Sequence, residues 1–266
     1  MTDARPQDRR PVKQRLAAGE QLLGCFLNGA SPLVTEVMAL AGYDCLMIDG
    51  EHSPVGLETA VLMTMAMRGV GCRALMRVSQ NDTAEIKRAL DMGLDGLMAP
   101  AVNSRAEAEA LVRACRYPPD GVRGVAVRIV RAADHGLDAE RYAATANEAL
   151  LVIAQIETVK AVEAVDAIAT TPGIDMLFIG PSDLSASMGY MGEPDHPEPQ
   201  RLIRQVEQAA KRAGKWLGIV PTKARPTDSL FADGYHLVLG GADLSLLRDA
   251  AVGQVERFKP KGTGRR

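Results

Sequence analysis

Aromatic residues are scarce in this chain, at 4% with a single Trp. Base-stacking platforms for single-stranded nucleic acid need more than that. Charge of one sign is lacking too: 31 Lys and Arg face 33 Asp and Glu, a formal net charge of −2. That balance offers nucleic acid no electrostatic footprint. No apolar run approaches the roughly 18–20 residues of a membrane span. The four cysteines, Cys25, Cys45, Cys72 and Cys115, are scattered and form no CxxC pair. The expectation is buried thiols in a reducing compartment. The opening MTDARPQDRR is charged and has no apolar h-region, so no secretory signal is expected. Together these absences point to a cytoplasmic protein without membrane or nucleic-acid partners.

What the chain does have is an ordinary globular balance, 47% hydrophobic and 24% charged, over 266 residues. That length suits one (β/α)8 barrel. Eight short apolar runs read as strands: 22–28, 44–49, 73–78, 95–100, 150–157, 175–180, 216–220 and 235–240. They are nearly unbroken, as strands covered on both faces should be. Amphipathic segments lie between them. SPLVTEVMALAG opens with Ser31 as an N-cap and Pro32 at the first helical position, and Gly42 stops it. NDTAEIKRALDMG stops at Gly93, SRAEAEALVRACRYPP at Pro118, ETVKAVEAVDAIATTPG near Pro172, and PEPQRLIRQVEQAAKRAG at Gly214. Strands alternating with helices predict a parallel sheet, and eight units at this length predict a closed TIM barrel. The expected domain is 1–266, with tails at about 1–12 and 259–266. One Gly- and Arg-rich stretch, 118–138, is irregular, and long irregular loops are often functional.

Barrel chemistry collects where strands end. Strand 2 ends in Asp49, Gly50, Glu51 and His52; strand 3 at Arg77; strand 5 carries Gln155 and Glu157; strand 6 runs into Gly180, Pro181, Ser182 and Asp183. Glu157 and Asp183 on neighbouring strands repel, or one holds a proton, unless a cation lies between them. Carboxylate ligation suits a hard divalent ion. Position alone leaves a second reading open, in which Glu157 caps a helix and Asp183 opens one. His52 beside Asp49 and Glu51 fits a proton shuttle, and Arg77 fits a permanent charge for an enolate oxygen. The plainer alternatives are a structural His and a surface ion pair.

The segments SPLVTEVMALAGYDCLMIDGEHSP, RYPPDGVRG, QIET and GIDMLFIGPSDLSASMGY, in this order between about residues 20 and 255, resemble the HpcH/HpaI aldolase family. These are the class II pyruvate aldolases that include 4-hydroxy-2-oxoheptanedioate aldolase and 2-dehydro-3-deoxyglucarate aldolase. The resemblance implies cleavage of a 4-hydroxy-2-oxo acid to pyruvate and an aldehyde. It implies Glu157 and Asp183 as the protein ligands of Mg²⁺, Mn²⁺ or Co²⁺, and no organic cofactor. It gives Arg77 the oxygen that becomes the enolate, and His52, paired with Asp49, a role in proton transfer. Gln155 would position the carbonyl substrate or a water. The backbone at Gly180, Pro181 and Ser182 would hold the pyruvate carboxylate. Arg131, in the long loop, would bind the far end of the acceptor.

The same chemistry can run through a lysine Schiff base. Lys223 is the one lysine placed for it, but PTKARPTD is a polar setting, so none is expected. Two alternatives stand beside the aldolase reading: an acyl-CoA lyase of the citrate lyase β-subunit type, and a non-catalytic barrel subunit. Specificity is expected in the loop 118–138 and at the rim of strands 7 and 8. Relatives exchange the last helix, here GADLSLLRDAAVGQVERF, and form hexamers as trimers of dimers; the plainer alternative packs it on its own barrel.

Overall fold

The structure is a computed structural model that describes residue 8 and residues 10–259. The N-terminal residues 1–7 and the tail beyond 259 lie outside the described residues. Eight parallel strands close into a barrel in chain order: β1 (Leu22–Leu27), β2 (Cys45–Asp49), β3 (Arg73–Arg77), β4 (Gly96–Ala99), β5 (Leu151–Ile156), β6 (Met176–Ile179), β7 (Trp216–Ile219) and β8 (Leu237–Ala242). Each strand pairs with the next, and β1 also pairs with β8. All eight predicted runs are strands, within about two residues at each end.

The helices are α1 (Val12–Ala17), α2 (Pro32–Leu40), α3 (Leu57–Ala66), α4 (Thr83–Leu90), α5 (Arg105–Cys115), α6 (Ala139–Ala149), α7 (Val159–Glu163), α8 (Val165–Ala169), α9 (Pro181–Ser187), α10 (Pro197–Ala213), α11 (Thr227–Ala232) and α12 (Asp243–Phe258). Ser31 caps α2 by accepting from the Val34 N–H, with Pro32 behind it. Gly214 ends α10 in the left-handed region, at φ +63°. The segment expected as one helix after β5 is two, because the backbone leaves helical geometry at Ala164.

Two apolar layers result. Between sheet and helices lie Ile48, Leu97, Val152 and Leu177 among others. Inside the barrel stand Cys45, Met47, Leu75, Ile153, Met176, Phe178 and Leu239, each two residues from the next inward position on its strand. Val12 and Leu16 of α1 join this inner cluster, and Val12 is fully buried. Helix α1 therefore plugs the N-terminal end of the barrel, and the short helix begins within the stretch expected to be tail. Arg15 and Lys13 pin it to Asp44 and Asp175, at 2.7 and 3.0 Å.

Helix α12 departs from the rest. Its only buried residue is Asp243, and Leu244, Leu246, Leu247, Val252, Val255 and Phe258 are exposed. Its firmest contacts are with β1 and β8. Leu33, Val37 and Leu40 of α2 are exposed as well.

Candidate active site

Carrying the inward parity of each strand one step past the apolar layer reaches polar residues. Cys45 and Met47 lead to Asp49; Leu75 leads to Arg77; Leu151 and Ile153 lead to Gln155 and Glu157; Met176 and Phe178 lead to Gly180. Asp49 and Arg77 are partners in the β2–β3 register. The site is thus the top layer of the barrel filling, made polar.

Arg77, 6% exposed, forks onto Asp49, Nε to Oδ1 at 2.9 Å and Nη2 to Oδ2 at 2.8 Å. Its guanidinium lies 4.9 Å over the Phe26 ring. Nη1 stands 2.9 Å from Glu51 Oε2 and 3.5 Å from Gln155 Oε1. Gln155 donates through Nε2 to Glu157 Oε2, so its carboxamide bridges Arg77 and Glu157. Glu157 also accepts the Ala101 N–H at 2.7 Å, from a non-glycine residue held at φ +49°. Such a conformation persists where its surroundings fix it. A Cβ at Gly180 would lie 2.8 Å from Glu157 Oε2, so glycine is needed there to leave the carboxylate its place.

The electrostatics are those of a site short of positive charge. Burial pushes the Glu157 carboxyl up to about 7; the Ala101 N–H pulls against this, and the charges of Glu51 and Asp183 add to it. Burial also raises Glu51 against the pull of Arg77. Although Glu51 Oε2 is close to Arg77, it makes no aligned hydrogen bond and is buried. Asp49 goes the other way: burial would raise it, but the Arg77 fork and the N–H groups of Glu51 and His52 hold it below the ordinary carboxylate range.

Among the described residues no three His, Cys, Asp or Glu side chains form a ready-made metal cage. Two carboxylates, buried Glu157 and exposed Asp183, lie close enough for the charge of one to raise the other, and that repulsion fits a divalent ion completed by water and substrate oxygens. Glu157 is not a helix cap, since Thr158 caps α7 by accepting from the Ala161 N–H. Asp183 lies in the first turn of α9, beside Ser182, before the first intrahelical bond from Leu184 to Gly180.

Two expected placements are corrected. The Asp49 carboxylate pairs with Arg77 rather than with the His52 ring; it meets only the His52 backbone N–H, at 3.3 Å. The imidazole is exposed, 3.8 Å from Glu51. The reason is parity: Asp49 is the last inward residue of β2, and His52 is already in the loop beyond it. Arg131 lies at the other end of the barrel. It donates to the Met92 carbonyl and lines a cavity of about 320 Å³ with Pro11, Cys72 and Asp95. The loop 118–138 follows a helix, α5, and connections from helix to strand run along the N-terminal face. The rim of β7 does open onto the site side: a cleft of about 750 Å³ runs from Pro181 and Ser182 past Thr222 and exposed Lys223 to Arg248 and Asp249.

A family model described as HpcH/HpaI aldolase/citrate lyase matches residues 22–250. The chain belongs to this family. It is similar to a hydroxypyruvate/pyruvate aldolase of Chromohalobacter salexigens, 39% identical over 94% of this chain and 98% of the relative. A 5-keto-4-deoxy-D-glucarate aldolase of Shigella dysenteriae is 38% identical over 93% and 96%. A solved HpcH/HpaI aldolase/citrate lyase family protein from Burkholderia cenocepacia superposes with a TM-score of 0.87 at 37% identity, over 92% of this chain and 98% of that one. The chain is a carbon–carbon lyase of the aldolase kind, and neither the acyl-CoA lyase nor the non-catalytic reading is favoured.

Sequence reasoning missed Asn28, Phe26 and the Ala101 N–H. Asn28 Nδ2 donates to Asp49 Oδ2 at 2.6 Å. The signal was present: Asn28 is the polar residue at inward parity just past β1.

Proposed function

We propose that this chain is a class II pyruvate aldolase that splits 4-hydroxy-2-oxo acids into pyruvate and an aldehyde. The observation that carries the reading is a buried arginine set by Asp49 and bridged by Gln155 to a buried carboxylate, Glu157. In cleavage the C4 hydroxyl loses its proton, the C3–C4 bond breaks, and its electron pair moves to C2–C3, leaving negative charge on the C2 oxygen. Arg77 presents a fixed positive charge to that oxygen in a water-poor setting, where such a charge acts most strongly. Glu157 and Asp183 would hold Mg²⁺, Mn²⁺ or Co²⁺, which when bound adds positive charge at the same oxygen. Gln155 holds Arg77 and Glu157 at a fixed spacing. His52, exposed at the rim, passes the proton of the C4 oxygen to solvent, and a proton returned from solvent adds to C3 of the enolate to complete pyruvate. The free N–H groups at the start of α9, near Ser182, receive the keto acid's carboxylate. The aldehyde portion lies toward the β7 rim.

Assembly belongs to the same reading. Six exposed apolar side chains on α12 and three on α2 each gain about 1 kcal/mol on burial. Seating α12 against α2 of another copy covers both sets and gives a homo-oligomer, a hexamer by the family expectation. The balanced charge and lone thiols suit the cytoplasm, and no helix among the described residues is long and apolar enough to cross a membrane.

The test is chelated protein assayed for pyruvate release from 4-hydroxy-2-oxo acids, with and without Mg²⁺ or Mn²⁺, beside Glu157→Ala and Asp183→Ala. Activity restored by metal in the parent and absent from both variants supports the reading. Activity that survives chelation and is trapped by borohydride on Lys223 sinks it.

A further inference from the structure

Asp49 is held by donors from three directions: two from Arg77, the N–H groups of Glu51 and His52, and the carboxamide of Asn28. The last comes from outside β2 and β3. Asn28 reaches the same Oδ2 that takes Arg77 Nη2. It is neutral, so it fills that oxygen's remaining acceptor site without drawing Asp49 away from the arginine.

Asn28 is itself fixed across the seam where the barrel closes. Asp243, the first residue of α12, is 4% exposed. Its carboxylate accepts the Asn28 N–H at 2.8 Å and the Gly29 N–H at 3.1 Å, together with the Leu244 N–H at 2.7 Å. A Cβ at Gly29 would lie 2.9 Å from Asp243 Oδ2, so only glycine allows this approach. Ala30, next in the turn, is held at φ +48°, a conformation that persists only where the surroundings fix it.

We propose that Asn28 and Asp243 are positioning residues. They carry the seating of the first turn of α12, through the turn after β1, to Asp49 and so to the angle at which Arg77 meets the substrate oxygen. The proposal rests on the aldolase reading for what Arg77 does, and on these hydrogen bonds for how it is set. Its kinetic signature follows from where charge appears. The oxygen carries no such charge in the bound keto acid and gains it in the transition state leading to the enolate, so a loosened Arg77 lowers kcat and leaves KM nearly untouched.

The experiment is steady-state pyruvate release by the metal-loaded enzyme between pH 5.5 and 8.5, for the parent, Asn28→Ala, Asn28→Asp and Asp243→Asn, each checked for fold by circular dichroism. Asn28→Ala is expected to lose about 10-fold in kcat with KM within about 2-fold. Asp243→Asn should show the same split, more weakly. Asn28→Asp should be poorest at high pH, where two carboxylates face each other. It should recover as pH falls and the new carboxyl again has a hydrogen to donate. Should the alanine variant not fold, Asn28→Ser carries the same expectation. Parent-like kcat and parent-like pH profiles in folded Asn28→Ala and Asp243→Asn would overturn the relay. A crystal structure of Asn28→Ala reads the geometry without any assay. A guanidinium turned from Asp49 supports the relay, and an unmoved one refutes it. Both results hold even if the parent cleaves no keto acid, an outcome that would sink the aldolase reading alone.

Discussion

Replacing Glu157 by Gln should stabilise the metal-free protein at high pH and not at low pH. A carboxyl whose folded pKa stands above its ordinary value binds protons better folded than unfolded, so its cost to stability is absent below the unfolded value and complete above the folded one. For Glu157 those limits are 4.5 and about 7, with burial the main cause. At about 1.36 kcal/mol per pH unit, the full cost is about 3 kcal/mol. Gln has nearly the same shape and no charge; its oxygen can still accept from Ala101, and its NH2 donates to Gln155 once that carboxamide turns over, at the loss of only the 3.5 Å contact with Arg77. Chelated Glu157→Gln should therefore exceed the parent by about 3 kcal/mol at pH 8, and by less than about 1 kcal/mol at pH 5. For a chain of this size that is a melting shift of roughly 6–12 °C at pH 8. Thermal melts of both proteins in chelator across pH 5–8 are the assay. Adding Mg²⁺ at pH 8 should raise the parent and leave the variant where it was. A variant no more stable than the parent at pH 8, or a gap that does not change with pH, would refute the reasoning.

Arg77→Lys keeps the charge but cannot fork onto Asp49, so kcat should fall by about 10²–10³ in a folded protein, read by pyruvate release. Arg131→Ala, at the opposite end of the barrel, should leave kcat and KM within about 2-fold of the parent. A large KM rise would return Arg131 to the substrate. Leu247→Asp on the exposed face of α12 should shift the particle to smaller mass by light scattering. An unchanged mass would argue against α12 as the assembling element.

The barrel was legible because parallel strands covered on both faces leave continuous apolar runs such as LLVIAQI, with little else to compete for that pattern. Most of the site was legible for a related reason: polar side chains at inward parity stand out at the ends of such runs. Asp49, Arg77, Gln155 and Glu157 all do so. Asn28 obeys the same parity, but a neutral side chain before Gly29 is equally the start of an ordinary turn, and only its bond to Asp49 marks it as part of the site. The pairing of Asp49 was misread because nearness in sequence stood in for register. Three residues past the strand, the His52 ring stands exposed at the rim beside Glu51, while Arg77 is the registered neighbour. Length and composition mark the loop of Arg131 as unusual but carry no information on which end of the barrel it occupies; its place after α5 puts it at the N-terminal end. The break at Ala164 had no local mark, since neither Gly nor Pro stands there.

The plug made by α1 bears on traffic. With the packed side chains of the barrel interior above Val12 and Leu16, the site is a cup with a single mouth. In the proposed function the pyruvate half of a keto acid would sit deeper, against Arg77, and the aldehyde half nearer the rim. Departure is then sequential: the aldehyde must clear the mouth before pyruvate can follow, and in the reverse direction pyruvate must enter first. Pyruvate should compete directly with the keto acid for the empty cup. The aldehyde, which finds its place only once pyruvate is seated, should not.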